Sequence, residues 1–158
     1  MPVRIHHILC PIDFSEGSRR ALDHAVALAR WYHARLSVVH VYPLSIPVYG
    51  IPYTGPEGLQ PVVLTEIERQ QLLSRLDAEV VEDRAATHLT IETVLDEAAN
   101  VPEAIVSRAR TKSADLIVIG THGRKGIERI LWGSDTVGVV RGSPVPVLIV
   151  HEMQAVSS

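Results

Sequence analysis

Ala114-Asp-Leu-Ile-Val-Ile-Gly120-Thr-His-Gly123-Arg-Lys-Gly-Ile-Glu-Arg-Ile-Leu-Trp-Gly133-Ser134 is the stretch whose reading decides the fold. The apolar run that ends at Ile119 is too short for a helix and stops on a glycine, which predicts a buried parallel strand followed by a turn. Gly120 and Gly123 lack a Cβ, so they allow positive φ and let backbone N–H groups approach a ligand closely. Gly133 and Ser134 then open a further periodic segment, with Ser134 read as an N-cap. The free N–H groups of that helix start would form a positive pocket. Together the two halves suggest a site for a small anion, with phosphate the expected one. The alternative is a strand-to-helix connection whose glycines only permit tight turns.

Composition bounds what such a site can serve. A chain of 158 residues fits one domain and can bury about 70% of its unfolded surface, so no covalent staple is required. The single cysteine, Cys10, lies in the apolar run Ile8-Leu-Cys-Pro-Ile12 and reads as a small core thiol. Net charge is −3, and the 15 Lys and Arg residues are scattered, which argues against a broad nucleic-acid footprint. Aromatic residues make up only 4%, too few for base-stacking platforms. No apolar segment reaches the roughly 20 residues of a membrane span, and the N-terminus lacks a secretory core. The expectation is a cytoplasmic protein with no membrane partner.

Outward from the glycine-rich stretch, strand and helix signals alternate. Residues 4–10 read as the first strand, with Pro11-Ile12-Asp13 at its carboxyl end, where a crevice lies in an open parallel sheet. Ser15 caps a helix to about Tyr32, with Leu22, Ala25, Val26 and Ala29 on its buried face. Residues 36–42 form the second strand, and His40 within it reads as a core or strand-end histidine. The segment 43–64 holds five of the ten prolines and reads as an irregular loop, either a lid or partner-contact segment or a solvated insertion. Thr65 and Glu68 match a capping box for a helix to about Ala85, whose core stripe is Leu72, Leu73, Leu76 and Val80. Residues 89–95 alternate as a third strand near the sheet edge, and Asn100 starts a third helix that ends near Lys112. After Ser134 a short helix to about Gly142 is expected to turn Val137 and Val140 inward. Residues 144–150 form the last strand, its prolines fitting a strand start or edge. Residues 1–151 then make one domain, and 152–158 a flexible tail. Right-handed crossovers between parallel strands place helices on both faces of the sheet.

The spacing Gly-x2-Gly-x9-Gly-Ser resembles the nucleotide-binding signature of the universal stress protein family. The likeness extends over almost the whole chain, through Ile-Leu-Cys-Pro-Ile-Asp13-Phe-Ser, Val-Val-His-Val41, Ala-Asp-Leu-Ile-Val-Ile-Gly120-Thr-His-Gly123-Arg and Pro-Val-Pro-Val-Leu-Ile-Val150. The resemblance implies an open, Rossmann-like five-stranded α/β sheet of order 3-2-1-4-5. It also implies ATP, or AMP or ADP, as ligand, with Mg2+ as a candidate bridging ion, and a homodimer formed through the last strand. By that likeness Asp13 would contact ribose or adenine, Pro11 and Val41 would line the base pocket, and Gly120, Gly123, Gly133 and Ser134 would hold the phosphates. Asp13 has a second reading, as an acid near the start of the first helix that stabilises its dipole. Arg124 and Lys125 offer charge neutralisation, and His122 a hydrogen bond, to phosphate.

The chain departs from the family pattern at Asp135 and Thr136, where small or apolar residues are usual. A carboxylate in the first helical turn repels a polyphosphate unless it points away or shares a metal ion. Two functions follow: a nucleotide-binding regulatory module of the stress response, or a weak ATPase or phosphotransferase using the same pocket. The second lacks both a GxxxxGK[ST] loop and an evident carboxylate–metal set. A structural dimer with a vestigial site is a third reading.

Overall fold

The computed structural model describes residues 3–44, 64–121 and 133–151. In chain order the elements are β1 (His7–Pro11), α1 (Glu16–Tyr32), β2 (Arg35–Pro43), α2 (Glu66–Thr87), β3 (Ile91–Ala98), α3 (Val101–Thr111), β4 (Leu116–Gly120), α4 (Ser134–Gly142) and β5 (Val147–Val150). The strands form one parallel sheet of order β3-β2-β1-β4-β5, as the family resemblance implied. Expectations for the greater part of 43–64, for His122 to Lys125 and for 152–158 fall outside the described residues.

The unbroken apolar strands are the physical reason for two layers of helices. Successive side chains of a strand point to opposite faces, so a run that is apolar throughout must be covered on both sides. Ile8, Cys10, Val38 and Val118 join one core with Leu22 and Val26 of α1 and Leu76 and Val80 of α2. Their neighbours Leu9, Val39, Ile117 and Ile119 join the other, with Ile105 and Ala109 of α3 and Val139 of α4. Cys10 is fully buried, and burial pushes its thiol far above the ordinary range. It is a core residue.

Local signals in the sequence set most of the ends. Ser15 Oγ accepts from Ser18 N at the start of α1, and His33 closes that helix in the left-handed region with φ 54°. Thr65 and Glu68 satisfy each other's backbone donors in a complete capping box. Asn100 Oδ1 accepts from Glu103 N at α3.

Three strand boundaries differ from the sequence expectation by three residues. β1 begins at His7 rather than at residue 4. β3 runs to Ala98, past Leu95, because the nine-residue β2 keeps pairing with it through Val41↔Asp96, Tyr42↔Glu97 and Pro43↔Ala98. β5 begins at Val147, after both prolines, and Pro146 contributes only its carbonyl, which accepts from Ile117 N at 3.0 Å.

Candidate functional site

A cleft of about 450 Å³ opens at the carboxyl ends of β1, β2 and β4. The chain crosses from one side of the sheet to the other between β1 and β4, and such a switch point leaves a crevice that no crossover connection fills. The volume lies within the range of about 300–1,000 Å³ common for small-ligand sites. Pro11, Ile12, Val41, Val101, Ile105 and Ile119 make its walls largely apolar, and Asp13, Ser15, Ser18, His40, Asp135 and Thr136 supply its polar groups.

Hydrogen bonds within the β1–α1 connection hold one side of the cleft rigid. Ile12 N continues the pairing with β2 by donating to Val39 O at 2.8 Å. Asp13 Oδ1 accepts from Ser15 N at 3.0 Å, Asp13 N donates to Ser18 Oγ at 3.3 Å, and Ser18 Oγ donates to Ser15 O at 3.0 Å. Asp13 is therefore bonded to the N-cap residue of α1, and it lines the cleft as well. Phe14 between them has φ 63°, a conformation that bulky side chains rarely adopt. Its ring is gripped on two sides: the Arg75 guanidinium of α2 lies 4.0 Å from the ring centroid, and the His40 ring lies 4.6 Å away at 50°. His40 Nδ1 donates to Ile12 O at 2.9 Å, which fixes the orientation of that imidazole beside the cleft.

Gly120 meets its requirement in a different way from the one expected. It remains in the strand, paired with Val150, instead of turning at positive φ. A Cβ there would lie 2.4 Å from Gly17 O and 2.6 Å from Gly17 C, so two backbones touch where β4 passes under the start of α1. The glycine is needed for that close approach.

α4 frames the opposite side, and here the expectation is corrected twice. Gly133 is the N-cap and makes no side-chain cap bond, while Ser134 is the first helical residue and exposed. Neither lines the cleft; Asp135 and Thr136 do. Val140 is also exposed, and the inward positions are Thr136 and Val139, one residue earlier in each case than Val137 and Val140. Two contacts fix this rotation. Thr136 Oγ1 donates to Gly120 O at 3.3 Å, and Gly138 sits so close to Pro102 of α3 that a Cβ would fall 2.7 Å from that ring.

Of the residues expected in a site, Pro11, Asp13, Val41, Gly120, Asp135 and Thr136 converge on this one cleft. Those expectations for Gly123, His122, Arg124 and Lys125 lie outside the described residues. Ser15, Ser18, His40, Pro43, Val101 and Ile105 also line it and were not anticipated. The available signal was topological: in a doubly wound sheet, residues just after strand ends and in the first helical turns face the crevice. Among the described residues the lining carries two carboxylates and no Lys or Arg. No group of three or more His, Cys, Asp or Glu there could hold a metal ion. No helix among them is long and apolar enough to cross a membrane.

Residues 4–151 match the family model described as "Universal stress protein family". Universal stress protein MJ0531 of Methanocaldococcus jannaschii is 36% identical over 145 residues, covering 92% of this chain and 81% of that protein. Among solved structures, a universal stress protein family member from Burkholderia pseudomallei superposes with TM-score 0.69 at 28% identity, covering 92% of this chain and 96% of that one. A universal stress protein in complex with cAMP superposes with TM-score 0.68 at 26% identity, covering 94% and 98%.

Proposed function

From the premise that this chain belongs to the universal stress protein family, we propose that it binds an adenine nucleotide in the switch-point cleft and acts as a regulatory module of the stress response. The observation that carries this reading is the convergence of an apolar slot and a hydrogen-bonding acid on one crevice. Pro11, Val41 and Ile105 offer flat apolar surface to a base. Asp13 offers carboxylate oxygen to ribose hydroxyls, a pairing that suits an acceptor-only group against two donors. The related structure that holds cAMP supports adenine as the base.

On this reading Gly120 and Gly123 contribute backbone N–H groups toward phosphate, while Gly133 and Ser134, which stand at the start of α4 outside the cleft lining, do not. His122, Arg124 and Lys125 stand beside them in sequence. Regulation requires only that the nucleotide bind one conformation or assembly better than another. The proposed assembly is a homodimer through β5, which among the described residues lies at the sheet edge with Leu148 exposed and one row of backbone groups not paired with another strand.

Calorimetric titration of the purified protein with adenosine, cAMP, AMP and ATP tests the binding. Saturable association with at least one of them is expected, and no detectable heat at millimolar ligand with any of them sinks the reading. Sedimentation equilibrium at micromolar concentration tests the dimer, and a monomer there removes it.

A further inference from the structure

We propose that Arg75 and Phe14 are positioning residues of the cleft: the Arg75 guanidinium, through the Phe14 ring, keeps residue 14 in the left-handed conformation that holds the Asp13 carboxylate where ribose hydroxyls meet it. The proposal rests on the nucleotide-binding reading and adds to it a selection for ligands that carry those hydroxyls.

Asp13 and Ser15 are joined by a turn that runs through Phe14. Asp13 Oδ1 accepts from Ser15 N at 3.0 Å, and the φ and ψ angles of Phe14 lie between those two groups. Phe14 closes the turn at φ 63°, in the left-handed region, where a residue with a Cβ crowds its own backbone. A phenylalanine under no other constraint prefers negative φ by roughly tenfold or more. Rotation to negative φ would carry Ser15 N away from Asp13 Oδ1 and release the carboxylate from that bond. Contacts from outside the turn must therefore hold residue 14 in place.

The ring provides the hold. Arg75, on α2, sets its guanidinium over one side of it, 4.0 Å from the centroid, and the His40 ring of β2 lies 4.6 Å away at 50°. His40 is itself fixed by its bond to Ile12 O at 2.9 Å, and the half-buried Phe14 ring also packs against the core beneath α1 and α2. An acid stands one turn beyond Arg75, but that residue, Glu79, is paired with Arg19 of α1 at 2.6 Å. Among the described residues no carboxylate pairs with Arg75, and its cation lies against the aromatic face. Such a contact is worth roughly a two- to fivefold change in population at an exposed site. The grip is thus comparable to the backbone preference it opposes, and a site whose competent form is only partly populated binds more weakly by that fraction.

The test titrates the full chain with adenosine and with dideoxyadenosine, which lacks the vicinal ribose hydroxyls. The forms compared are the unmodified protein, Phe14→Ala, Phe14→Gly, Arg75→Met, Arg75→Lys and the Phe14→Gly, Arg75→Met pair, with melting curves to check that each folds. Phe14→Ala should lose roughly tenfold in adenosine affinity, and Phe14→Gly should recover most of that loss, because glycine enters the left-handed region without strain. Arg75→Met should lose roughly threefold and Arg75→Lys less, since an ammonium also meets an aromatic face. With glycine at position 14, Arg75→Met should have no further effect. Dideoxyadenosine should bind every form alike. A ring that served only to fill space would make glycine at least as damaging as alanine and would weaken both nucleosides together. Either result, or an Arg75→Met loss that persists without the ring, overturns the proposal. Hydrogen exchange at the Ser15 amide reads the turn with no ligand present: its protection should fall in Phe14→Ala and Arg75→Met and return in Phe14→Gly and Arg75→Lys. Unchanged protection in Phe14→Ala overturns the proposal. If neither nucleoside binds any form while the amide follows the expected pattern, the nucleotide reading fails and the hold on the turn is supported.

Discussion

The two ends of the sheet are both polar, but they use polarity for different purposes. At the amino end, buried His7 lies between the Lys112 carbonyl, 2.8 Å from Nδ1, and Ser37 Oγ, 2.7 Å from Nε2. Ser37 in turn donates to Glu92, whose carboxylate also receives the Lys112 ammonium at 2.9 Å. Asp115 accepts from His6 N and His7 N. Four elements are joined by groups that satisfy one another, which rigidifies the scaffold. At the carboxyl end Asp13, which also accepts from Ser15 N, and Asp135 line an open cleft among apolar walls. Polar groups closed on themselves hold the fold, and polar groups lining a cavity are the ones a ligand would meet under the proposed function.

The substitution with the largest expected effect erases that distinction. Gly120→Ala sets a Cβ at 2.4 Å from Gly17 O, which no rotamer relieves because the obstacle is backbone. Overpacking of this kind costs about 3 kcal/mol, so the melting temperature should fall by roughly 10 °C and ligand binding should weaken with it. Circular dichroism melts and calorimetry on the same sample check both.

Ser37→Ala tests the amino end alone. It leaves the buried His7 ring and the partly exposed Glu92 carboxylate short of a partner, at about 1–3 kcal/mol, and should lower the melting temperature by several degrees without moving nucleotide affinity. A change in affinity would mean that the two ends are coupled. Asp13→Ala tests the cleft end, losing the Ser15 N–H bond at the start of α1 as well, and removes a charged hydrogen-bond acceptor from the proposed ribose site. Affinity for adenosine and for ATP should fall by roughly tenfold alike.

The smallest effect is the acid limb of stability. The Ser37 hydroxyl and then Lys112 hold the Glu92 carboxyl below its usual range, and the Thr93 hydroxyl and then Arg84 do the same for Asp77. A carboxylate whose folded pKa is depressed contributes fully above its unfolded value of about 4.3 for Glu and 3.9 for Asp. That contribution is lost as pH falls through the lower folded value. The melting temperature should therefore hold steady down to about pH 4.5 and decline below it, and Glu92→Gln should make the decline shallower. Both groups are partly exposed, so the change is modest.

Much of the chain was legible before folding. Each apolar run marks a strand, the 3.6-residue spacing in 16–32 marks a buried helix face, and Ser15, Thr65 and Asn100 mark helix starts, because these signals act within a few residues. The strand order came from the family resemblance. The cleft was legible where a strand end announced it, at Pro11, Asp13, Val41 and Gly120, and at Asp135 and Thr136 beside the expected helix start. His40 read as a core or strand-end residue because nothing near it in sequence reveals the Phe14 ring against it. The α4 residues were misassigned by one position, since Thr136 and Val139 are set inward by Gly120 and Pro102, which lie far away in the chain.

By itself the amino-acid sequence determined the alternation of elements, the two-sided burial of the sheet and the presence of a glycine at the end of β4, all of which follow from local sterics and hydrophobic period. Only the tertiary structure decided why that glycine is needed, which face of α4 turns inward, and that Asp13 and Asp135, more than a hundred residues apart, line the same cavity. Those outcomes depend on contacts between backbones and side chains brought together by the crossovers, and no local pattern encodes the rotation at which a helix comes to rest.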